Sequence, residues 1–252
     1  MQVTFLGTGT SMGVPVAGGF GSEDMSGDPR DERYRCSAWV QVNGMSIVID
    51  TGPEFRLQTL RSGLNKIDLL MITHEHTDHI GGLDDLRPFN YVQKSALPVI
   101  TTPQCPRAIK QRFSYMFEPG KTPGSVDLNF QEIKDDYDYN GVKIVPLSVY
   151  HGEMNIFGFR IGDFSYITDV NYIPPETKAL IKGSKVLVLS GLRWSPEHPT
   201  HYTIPEAVEI AEELEIEQTW LVHMSPYVHH AQTCARLPKH VQLAYDQLTI
   251  TI

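Results

Sequence analysis

Cysteine is scarce in this chain and long hydrophobic runs are absent, and each shortage disfavours a class of protein. The three cysteines, Cys36, Cys105 and Cys234, lie far apart and form no CxxC pair, which indicates reduced thiols in the cytoplasm rather than a disulfide framework. No apolar run approaches the roughly 20 residues that a membrane span requires, so no membrane association is expected. The opening MQVTFLGTGTSMG lacks the basic and apolar parts of a signal peptide.

Positive charge is also in deficit, with 21 Lys and Arg against 30 Asp and Glu and a formal net charge of −9. Nucleic-acid-binding proteins usually carry a basic face, so nucleic acid is disfavoured as a partner, although a local basic pocket stays open. The 252 residues, 41% of them hydrophobic, can bury a large core. Because no repeat or linker interrupts them, we expect one domain over residues 1–252.

Short apolar runs between turn signals predict many strands flanked by helices. In SAWVQVNGMSIVIDTG, Asn43-Gly44 joins two β-rich runs and is typical of a type I′ hairpin turn. TIPEAVEIAEEL predicts a helix that opens with a capping box of Thr203 and Glu206. The final VQLAYDQLTITI predicts a closing hairpin. Other predicted strands are 3–7, 67–73, 97–102, 142–151, 157–162, 164–169, 184–191 and 218–225, with helices at 53–60 and 103–117. Two sheets between helical layers are therefore expected.

Residue types that bind metals follow four of these strands. HEHTDH at 74–79 follows DLLMI, His151 ends KIVPLSVYH, Asp169 follows FSYIT, and His223 follows TWLV. A lone histidine near a strand end is usually packed or solvated. Four potential metal ligands within six residues are poorly explained as a chance feature of a surface loop. Imidazole nitrogen and carboxylate oxygen bind zinc at about 2.0–2.2 Å. Sites on strand-end loops are common, so we expect these residues to converge at one edge of the sandwich.

The spacing divides the candidate ligands into two sets. His74 and His76 are two residues apart and face the same side of an extended segment, so they can serve a first metal. Asp78 and His79 follow where the chain turns, so they can serve a second. His151 would complete the first set and His223 the second, with Asp169 as a bridge. Two such metals, about 3.5–4 Å apart, would share a hydroxide and hold the reacting group from both sides.

These residues together resemble the metallo-β-lactamase superfamily of dinuclear hydrolases, over nearly the whole chain. The resemblance implies an α/β fold, the αββα sandwich of two mixed β-sheets flanked by helices. It also implies two divalent metal ions, Zn²⁺ or Mn²⁺, since histidine and carboxylate sites accept several metals. Asp78 counts as a catalytic residue as well as a ligand. Asp50, after the strand IVI, would orient the ligand loop from behind, although a simple turn aspartate is the alternative. The implied metal ligands are His74, His76, Asp78, His79, His151, Asp169 and His223.

An aspartate at position 169, rather than a cysteine, resembles the glyoxalase II, lactonase and phosphodiesterase branches. GTGTSMGVP at 7–15 and HYTIPEA at 201–207 resemble the cyclic-phosphodiesterase branch and the related transfer-RNA 3′-processing ribonucleases. In both groups a histidine matching His201 acts as general acid or supports the phosphate; a surface histidine is the alternative here. The branch often has a zinc-binding cysteine cluster after GVP. Only Cys36 is present, so no structural zinc is expected, and the loop at 16–36 has no assigned role.

The resemblance therefore implies a phosphodiesterase that opens small cyclic or diester phosphates by attack of a metal-bridging hydroxide. A transfer-RNA 3′-processing ribonuclease and a hydrolase of carboxylic esters, thioesters or lactones stay open as alternatives, and so does a homodimer. Arginine binds two phosphate oxygens at once, and Arg193, which shares a loop with His201, is the predicted substrate contact. Arg30, Arg33 and Arg35 lie among acidic residues and predict a solvated mixed-charge loop. Thr73, Glu75 and Thr77 are expected to be spacers.

Overall fold

Two sheets of seven strands lie face to face in a computed structural model that describes residues 1–21, 26–118, 120, 124–133 and 135–252. The first sheet contains β1 (Gln2–Gly7), β2 (Ser37–Val42), β3 (Met45–Ile49), β4 (Leu69–Met71), β5 (Leu97–Ile100), β6 (Leu128–Gln131) and β14 (Thr249–Thr251). The second contains β7 (Tyr137–Tyr139), β8 (Val142–His151), β9 (Met154–Ile161), β10 (Phe164–Ile167), β11 (Val186–Ser190), β12 (Gln218–Val222) and β13 (Val241–Leu243). The helices are α1 (Phe55–Ser62), α2 (Thr77–Ile80), α3 (Arg87–Gln93), α4 (Cys105–Arg112), α5 (Pro175–Ile181), α6 (Ile204–Glu213) and α7 (His230–Cys234).

Each sheet is mixed, so the predicted αββα sandwich is confirmed. The strand orders are β14-β1-β2-β3-β4-β5-β6 and β13-β12-β11-β10-β9-β8-β7. In the first sheet the pairs from β14 to β3 are antiparallel and those from β3 to β6 are parallel. In the second, β7 to β10 are antiparallel and β10 to β13 are parallel. Both sheets therefore direct the carboxyl ends of parallel strands toward connecting loops that can carry a site.

Three apolar layers hold the sandwich together, one between the sheets and one under each helical face. In β4, Leu69 and Met71 belong to the layer between the sheets, while Leu70 belongs to the layer under the helices. Because both faces are covered, the strand reads as a continuous apolar run. Full burial of each such side chain stabilises the fold by about 1.5–3 kcal/mol. The segment that follows β4 is therefore anchored at its start by a rigid, buried strand.

The local turn and cap predictions are confirmed. Asn43 and Gly44 both have positive φ, 50° and 76°, as a type I′ turn requires. The Thr203 hydroxyl accepts a hydrogen bond from the Glu206 backbone N–H, and the Glu206 carboxylate accepts one from the Thr203 N–H. Helix α1 begins at residue 55, two residues later than predicted, so Pro53 lies outside it.

The predicted closing hairpin is wrong, because its two runs belong to different sheets. β13 pairs in parallel with β12 of the second sheet, and β14 pairs antiparallel with β1 of the first. Between them the chain crosses the end of the sandwich and is held to β1. The Gln247 N–H donates to the Phe5 carbonyl at 2.7 Å, and the Phe5 N–H donates to the Leu248 carbonyl at 2.9 Å. Each run thus adds an edge strand to a different sheet.

This crossing partly buries Asp246, and we expect the carboxylate to make stability depend on pH. Its oxygens accept hydrogen bonds from the Thr8 hydroxyl at 2.9 Å and the Tyr34 N–H at 2.8 Å. Burial raises the pKa from 3.8 to about 7, against the opposing positive charges of Arg61 and Arg33. Between pH 4 and 7 the folded state holds a proton that the unfolded state has released. The contribution of this group to the free energy of unfolding therefore decreases as pH rises through that window.

Asp246→Asn should remove this decrease, because the amide does not ionise; its oxygen can accept from the Tyr34 N–H while its NH₂ group donates to the Thr8 hydroxyl in the reverse direction. Urea unfolding of wild type and variant at pH 5 and pH 8 measures the effect. The variant should gain stability over wild type at pH 8 relative to pH 5. An unchanged difference between the two proteins at both pH values would contradict the prediction.

The structure also bears on the cysteines and on membrane-spanning helices. Cys36, Cys105 and Cys234 are unpaired. No helix in the described part of the chain combines the length and hydropathy that a bilayer crossing requires.

Candidate metal centre

Four strand ends bring the predicted ligands together between the sheets. The segment after β4 supplies His74, His76, Asp78 and His79, while the ends of β8, β10 and β12 supply the other three. Three groups among the described residues have ligand atoms within 4.8 Å of one another and could each hold a metal ion; the third, His151, Asp169 and His201, overlaps the other two. The first group is His74, His76 and His151, and the second is Asp78, His79, Asp169 and His223. The first two groups match the division that the spacing predicts, and their binding of metal stays a prediction.

The second group encloses a small space lined by two imidazole nitrogens and two carboxylates. His79 Nε2 lies 3.1 Å from Asp78 Oδ2 and 3.3 Å from Asp169 Oδ1. His223 Nε2 lies 3.2 Å from Asp169 Oδ2 and 3.9 Å from Asp78 Oδ2. Ligands on a tetrahedral ion with bonds of about 2.0–2.2 Å lie about 3.3–3.6 Å apart. The spacing of these atoms therefore fits a divalent metal.

The first group adjoins the second through Asp169. His74 Nε2 lies 3.0 Å from His76 Nδ1, and the His151 ring centroid lies 5.6 Å from that of His74 and 5.2 Å from that of His76. Asp169 Oδ2, which faces His223, also lies 4.0 Å from His74 Nε2. One carboxylate therefore borders both groups, as a bridging ligand must.

Hydrogen bonds behind the ligands fix which nitrogen of each ring faces the centre. The Thr73 hydroxyl donates to Asp50 Oδ2 at 2.9 Å, so His74 Nδ1, 3.0 Å from that hydroxyl, must donate to it. His79 Nδ1 donates to Asp50 Oδ2 at 2.7 Å. His151 Nδ1 donates to the Thr200 carbonyl at 2.9 Å. In each case Nε2 is the nitrogen that faces the centre, and it can bind a metal once it carries no proton.

Asp50 and Thr73 therefore form one support for the ligand loop. Asp50 is fully buried and also accepts the Thr73 backbone N–H at 2.8 Å. The expectation that Thr73 is a spacer is wrong, because its hydroxyl joins Asp50 to His74. Only the folded chain brings Asp50 to Thr73, 23 residues away, so the one signal available beforehand was the position of Thr73 beside a predicted ligand.

Removing the Thr73 hydroxyl should weaken the first metal group. Thr73→Val leaves His74 Nδ1 buried without an acceptor, so the required ring tautomer is no longer fixed. Loss of such a supporting partner typically lowers metal affinity about 10–100-fold. Calorimetric titration of metal-stripped protein measures the affinity, with Thr73→Ser, which keeps the hydroxyl, as the matched control. Wild-type affinity in the valine variant would refute the assigned tautomer.

The ligands differ in charge state. For His79, burial opposes protonation, but Asp169, Asp78 and Asp50 outweigh it and raise the pKa well above the ordinary range, so a metal bound there would displace a proton. Burial drives the pKa of His74 well below its ordinary range, so its imidazole is neutral, the form that binds metals. For Asp169, burial opposes ionisation, but the neighbouring His223 and His79 outweigh it and hold the pKa well below the usual range. Within the described residues, His79 Nε2 and both ring nitrogens of His223 are buried without a hydrogen bond. Such atoms are costly unless something binds them.

Three residues of the centre have a backbone conformation that the sequence did not indicate. Asp50, Asp169 and His223 have φ of 59°, 56° and 59°, in the left-handed region that non-glycine residues seldom adopt. Each follows a strand, so the turn out of the sheet directs its side chain toward the centre. Such conformations persist only where the surrounding structure holds them, and they concentrate at functional sites.

A sequence model described as a beta-lactamase superfamily domain matches residues 46–224, most of the chain and all seven predicted ligands. This chain belongs to the metallo-β-lactamase superfamily. A crystal structure of a diphosphatase from the PhnP family superimposes with a TM-score of 0.90 at 37% identity, covering 100% of this chain and 97% of that one.

Two curated relatives differ in their named activities. An octanoyltransferase of Porphyromonas gingivalis is 34% identical over 256 residues, which cover 100% of this chain and 52% of that protein. This chain thus spans about half the length of that relative. A ribonuclease Z of Mycobacterium sp. (strain KMS) is 24% identical, over 98% of this chain and 94% of that protein. The superfamily membership is therefore shown, while these names disagree on the substrate.

His201 lies beside both ligand groups of this superfamily member. Its ring stacks on that of His223, with centroids 4.6 Å apart and planes at 18°, and its centroid lies 4.7 Å from that of His151. Burial, followed by the neighbouring His223, lowers its pKa to about 3. An anionic phosphate at the centre would oppose this shift, because negative charge stabilises the imidazolium. His198, which sequence reasoning missed, lies 5.0 Å from His201 between ring centroids.

The candidate arginines lie in different surroundings. Arg193 Nε donates to the Pro196 carbonyl at 2.9 Å, so it braces its own loop, and its contact with substrate stays a prediction. Arg30 forms an exposed ion pair with Asp28. Arg35 pairs with Glu54 and donates from Nε to the Ser11 carbonyl.

The expected solvated loop is wrong for Arg33, whose side chain is fully buried against Asp31. The mixed charges of this stretch therefore do not all face water. Residues 22–25 of the predicted loop lie outside the described residues.

Proposed function

We propose that this protein is a dinuclear metal-dependent hydrolase that cleaves small phosphodiesters or diphosphates, with residues 1–252 acting as one hydrolase domain. The observation that carries the proposal is the pair of ligand groups that share Asp169, with His201 stacked beside them. A shared carboxylate at the border of two groups fits a two-metal site, and a free histidine ring beside it fits proton transfer to a leaving group.

In this proposal each residue has a defined task. His74, His76 and His151 hold the first ion, Asp78, His79 and His223 hold the second, and Asp169 bridges. When bound, the two ions supply a water nucleophile of lowered pKa and neutralise charge on the phosphate. Asp50 and Thr73 keep the ligand rings in the required tautomers. His201 donates a proton to the leaving oxygen, and Arg193 contacts the phosphate.

The choice of phosphorus over carbon rests on the similar diphosphatase, with 37% identity over the whole chain. A diphosphate bridge and a phosphodiester both present a phosphorus atom with two bridging oxygens, so one site chemistry serves either. Two alternatives keep specific support. Ribonuclease Z relatives favour a transfer-RNA precursor, although the net charge of −9 disfavours RNA binding. The octanoyltransferase relative favours an acyl thioester.

A metal analysis and a substrate panel test the proposal. Elemental analysis of purified protein should find about two divalent metals per chain, and fewer than one would refute it. The panel, run with Mn²⁺ or Zn²⁺, contains bis-nitrophenyl phosphate, a 2′,3′-cyclic nucleotide, cyclic ribose phosphate, a dinucleoside diphosphate, precursor transfer RNA, octanoyl thioester and a lactone. We expect the small phosphate esters or the diphosphate to give the highest kcat/KM. Preference for the RNA or for an acyl substrate would favour the corresponding alternative.

A further inference from the structure

A fully buried ion pair stands apart from the proposed metal ligands. Arg33 is 2% exposed and Asp31 3%, and Arg33 Nη2 lies 2.6 Å from Asp31 Oδ1. Charges taken out of water are costly unless they are paired and hydrogen-bonded. A contribution to stability is a weak explanation for such a pair, because well-packed apolar residues in its place often stabilise a protein equally well.

The pair fastens the N-terminal loop to the chain that follows β12. Asp31 Oδ1 accepts the His230 backbone N–H at 2.7 Å, and Arg33 Nη2 donates to the Val228 carbonyl at 2.8 Å. The Ser26 hydroxyl also donates to Asp31. The two long-range bonds therefore join residues about 195 positions apart in sequence and fix the segment five to seven residues after His223.

The same loop holds the residue directly after His223. The Met224 N–H donates to the Thr8 carbonyl, and the Thr10 N–H donates to the Met224 carbonyl, both at 3.1 Å. Gly9 lies between these two threonines and donates to the Tyr34 carbonyl at 2.8 Å. A Cβ on Gly9 would lie 2.9 Å from the Arg33 Cβ, so only glycine permits this close approach. Residues 8–10 are thus packed between Met224 and the segment that carries Arg33 and Tyr34.

His223 needs such support more than the other histidine ligands. Thr73, Asp50 and the Thr200 carbonyl hold the rings of His74, His79 and His151. Within the described residues, neither ring nitrogen of His223 makes a hydrogen bond. Its φ of 59° is a conformation that the surroundings must impose. With no hydrogen bond to the ring from the described part of the chain, its direction depends on the His223 backbone and on the His201 ring stacked against it.

We propose that Asp31 and Arg33 are positioning residues for His223 and, through it, for the second metal. The inference rests on the proposed function, which supplies the two metals. The ion pair holds residues 228–230, the packed residues 8–10 hold Met224, and together they keep the His223 backbone in the conformation that aims its ring.

Asp31→Asn/Arg33→Met tests the inference, because it removes both charges and leaves neither buried without a partner. Metal-stripped protein is titrated with Mn²⁺ or Zn²⁺ by calorimetry. The affinity for the second metal should fall about 10–100-fold, the usual cost of losing an outer partner, while the first stays unchanged. Hydrogen–deuterium exchange of the backbone amides at 224–230 should be faster in the variant, and this readout needs no metal.

The matched control is Asp28→Asn/Arg30→Met, which removes the exposed ion pair of the same loop and should leave both readouts unchanged. If the double variant fails to fold, Arg33→Lys keeps the charge beside Asp31 but loses the geometry of the second donation. It should show the same changes at smaller size.

Two results would overturn the inference: wild-type second-metal affinity with unchanged exchange at 224–230, or equal weakening of both metals that follows a lower melting temperature. If wild type itself binds fewer than two metals, the proposed function fails, and exchange at 224–230 alone decides whether the pair holds this segment.

Discussion

Asp169→Asn is expected to lower kcat/KM by about 10³-fold or more, because both oxygens of this carboxylate face proposed ligand groups. Oδ1 lies 3.3 Å from His79 Nε2, and Oδ2 lies 3.2 Å from His223 Nε2 and 4.0 Å from His74 Nε2 of the first group. An amide offers one oxygen and an NH₂ group that cannot bind a metal. Loss of an outer partner costs about 10–100-fold, so loss of a ligand shared by two ions should cost more. A loss of 10³ corresponds to about 4 kcal/mol of transition-state stabilisation.

The measurement combines kcat/KM on the preferred substrate of the panel with metal content by elemental analysis, which should fall below two per chain. Asp163→Asn is the matched control, since Asp163 is an exposed aspartate that pairs with Lys185 at 2.7 Å. It should behave as wild type. A variant at position 169 that keeps two metals and activity within tenfold of wild type would show that Asp169 is not a bridge.

His201→Ala should slow substrates with poor leaving groups about 10²–10⁴-fold, the usual contribution of general acid catalysis. Nitrophenyl esters should lose far less, because nitrophenolate leaves without a proton. The reason for assigning His201 is its position: the ring stacks on His223 and borders His151, and its buried Nδ1 makes no hydrogen bond within the described residues. One face of the site therefore has a free imidazole.

Rates on alkyl and nitrophenyl esters of the same phosphate give the comparison, at saturating metal. The control for loss of a histidine is His240→Ala, because His240 lies just before β13 and belongs to none of the ligand groups. Equal losses on both esters would remove His201 from the acid role and leave it a part of the binding surface.

The sequence predicted the local structure well because its signals are local. Asn43-Gly44 requires positive φ, and Thr203 with Glu206 closes a helix end, whatever the rest of the chain does. The continuous apolar run of β4 reports burial on both faces. The prediction of a closing hairpin at the C-terminus was wrong for the same reason. The alternation of apolar and polar residues there predicted strands correctly. Whether the two strands pair with each other or with different sheets depends on contacts with β1 and β12, which no local pattern contains.

The candidate site divides in a similar way. The seven ligand types could be found from the sequence because HEHTDH is dense and the other three follow apolar strands. The role of Thr73 could not be predicted, because its hydroxyl supports the ligands only when Asp50 lies within hydrogen-bond distance. Arg33 was misjudged since charged neighbours in sequence suggested solvent, whereas its partners include the Val228 carbonyl, 195 residues away.

By itself, the sequence determined which chemical groups are present and which strand end carries each, since periodicity and turn chemistry act over a few residues. The tertiary structure alone decided how those groups face one another: the left-handed turns at Asp50, Asp169 and His223, and the buried pair of Asp31 and Arg33 behind the last of them. The physical reason is that a site is built from distances between groups far apart in the chain, and only packing of the two sheets fixes those distances.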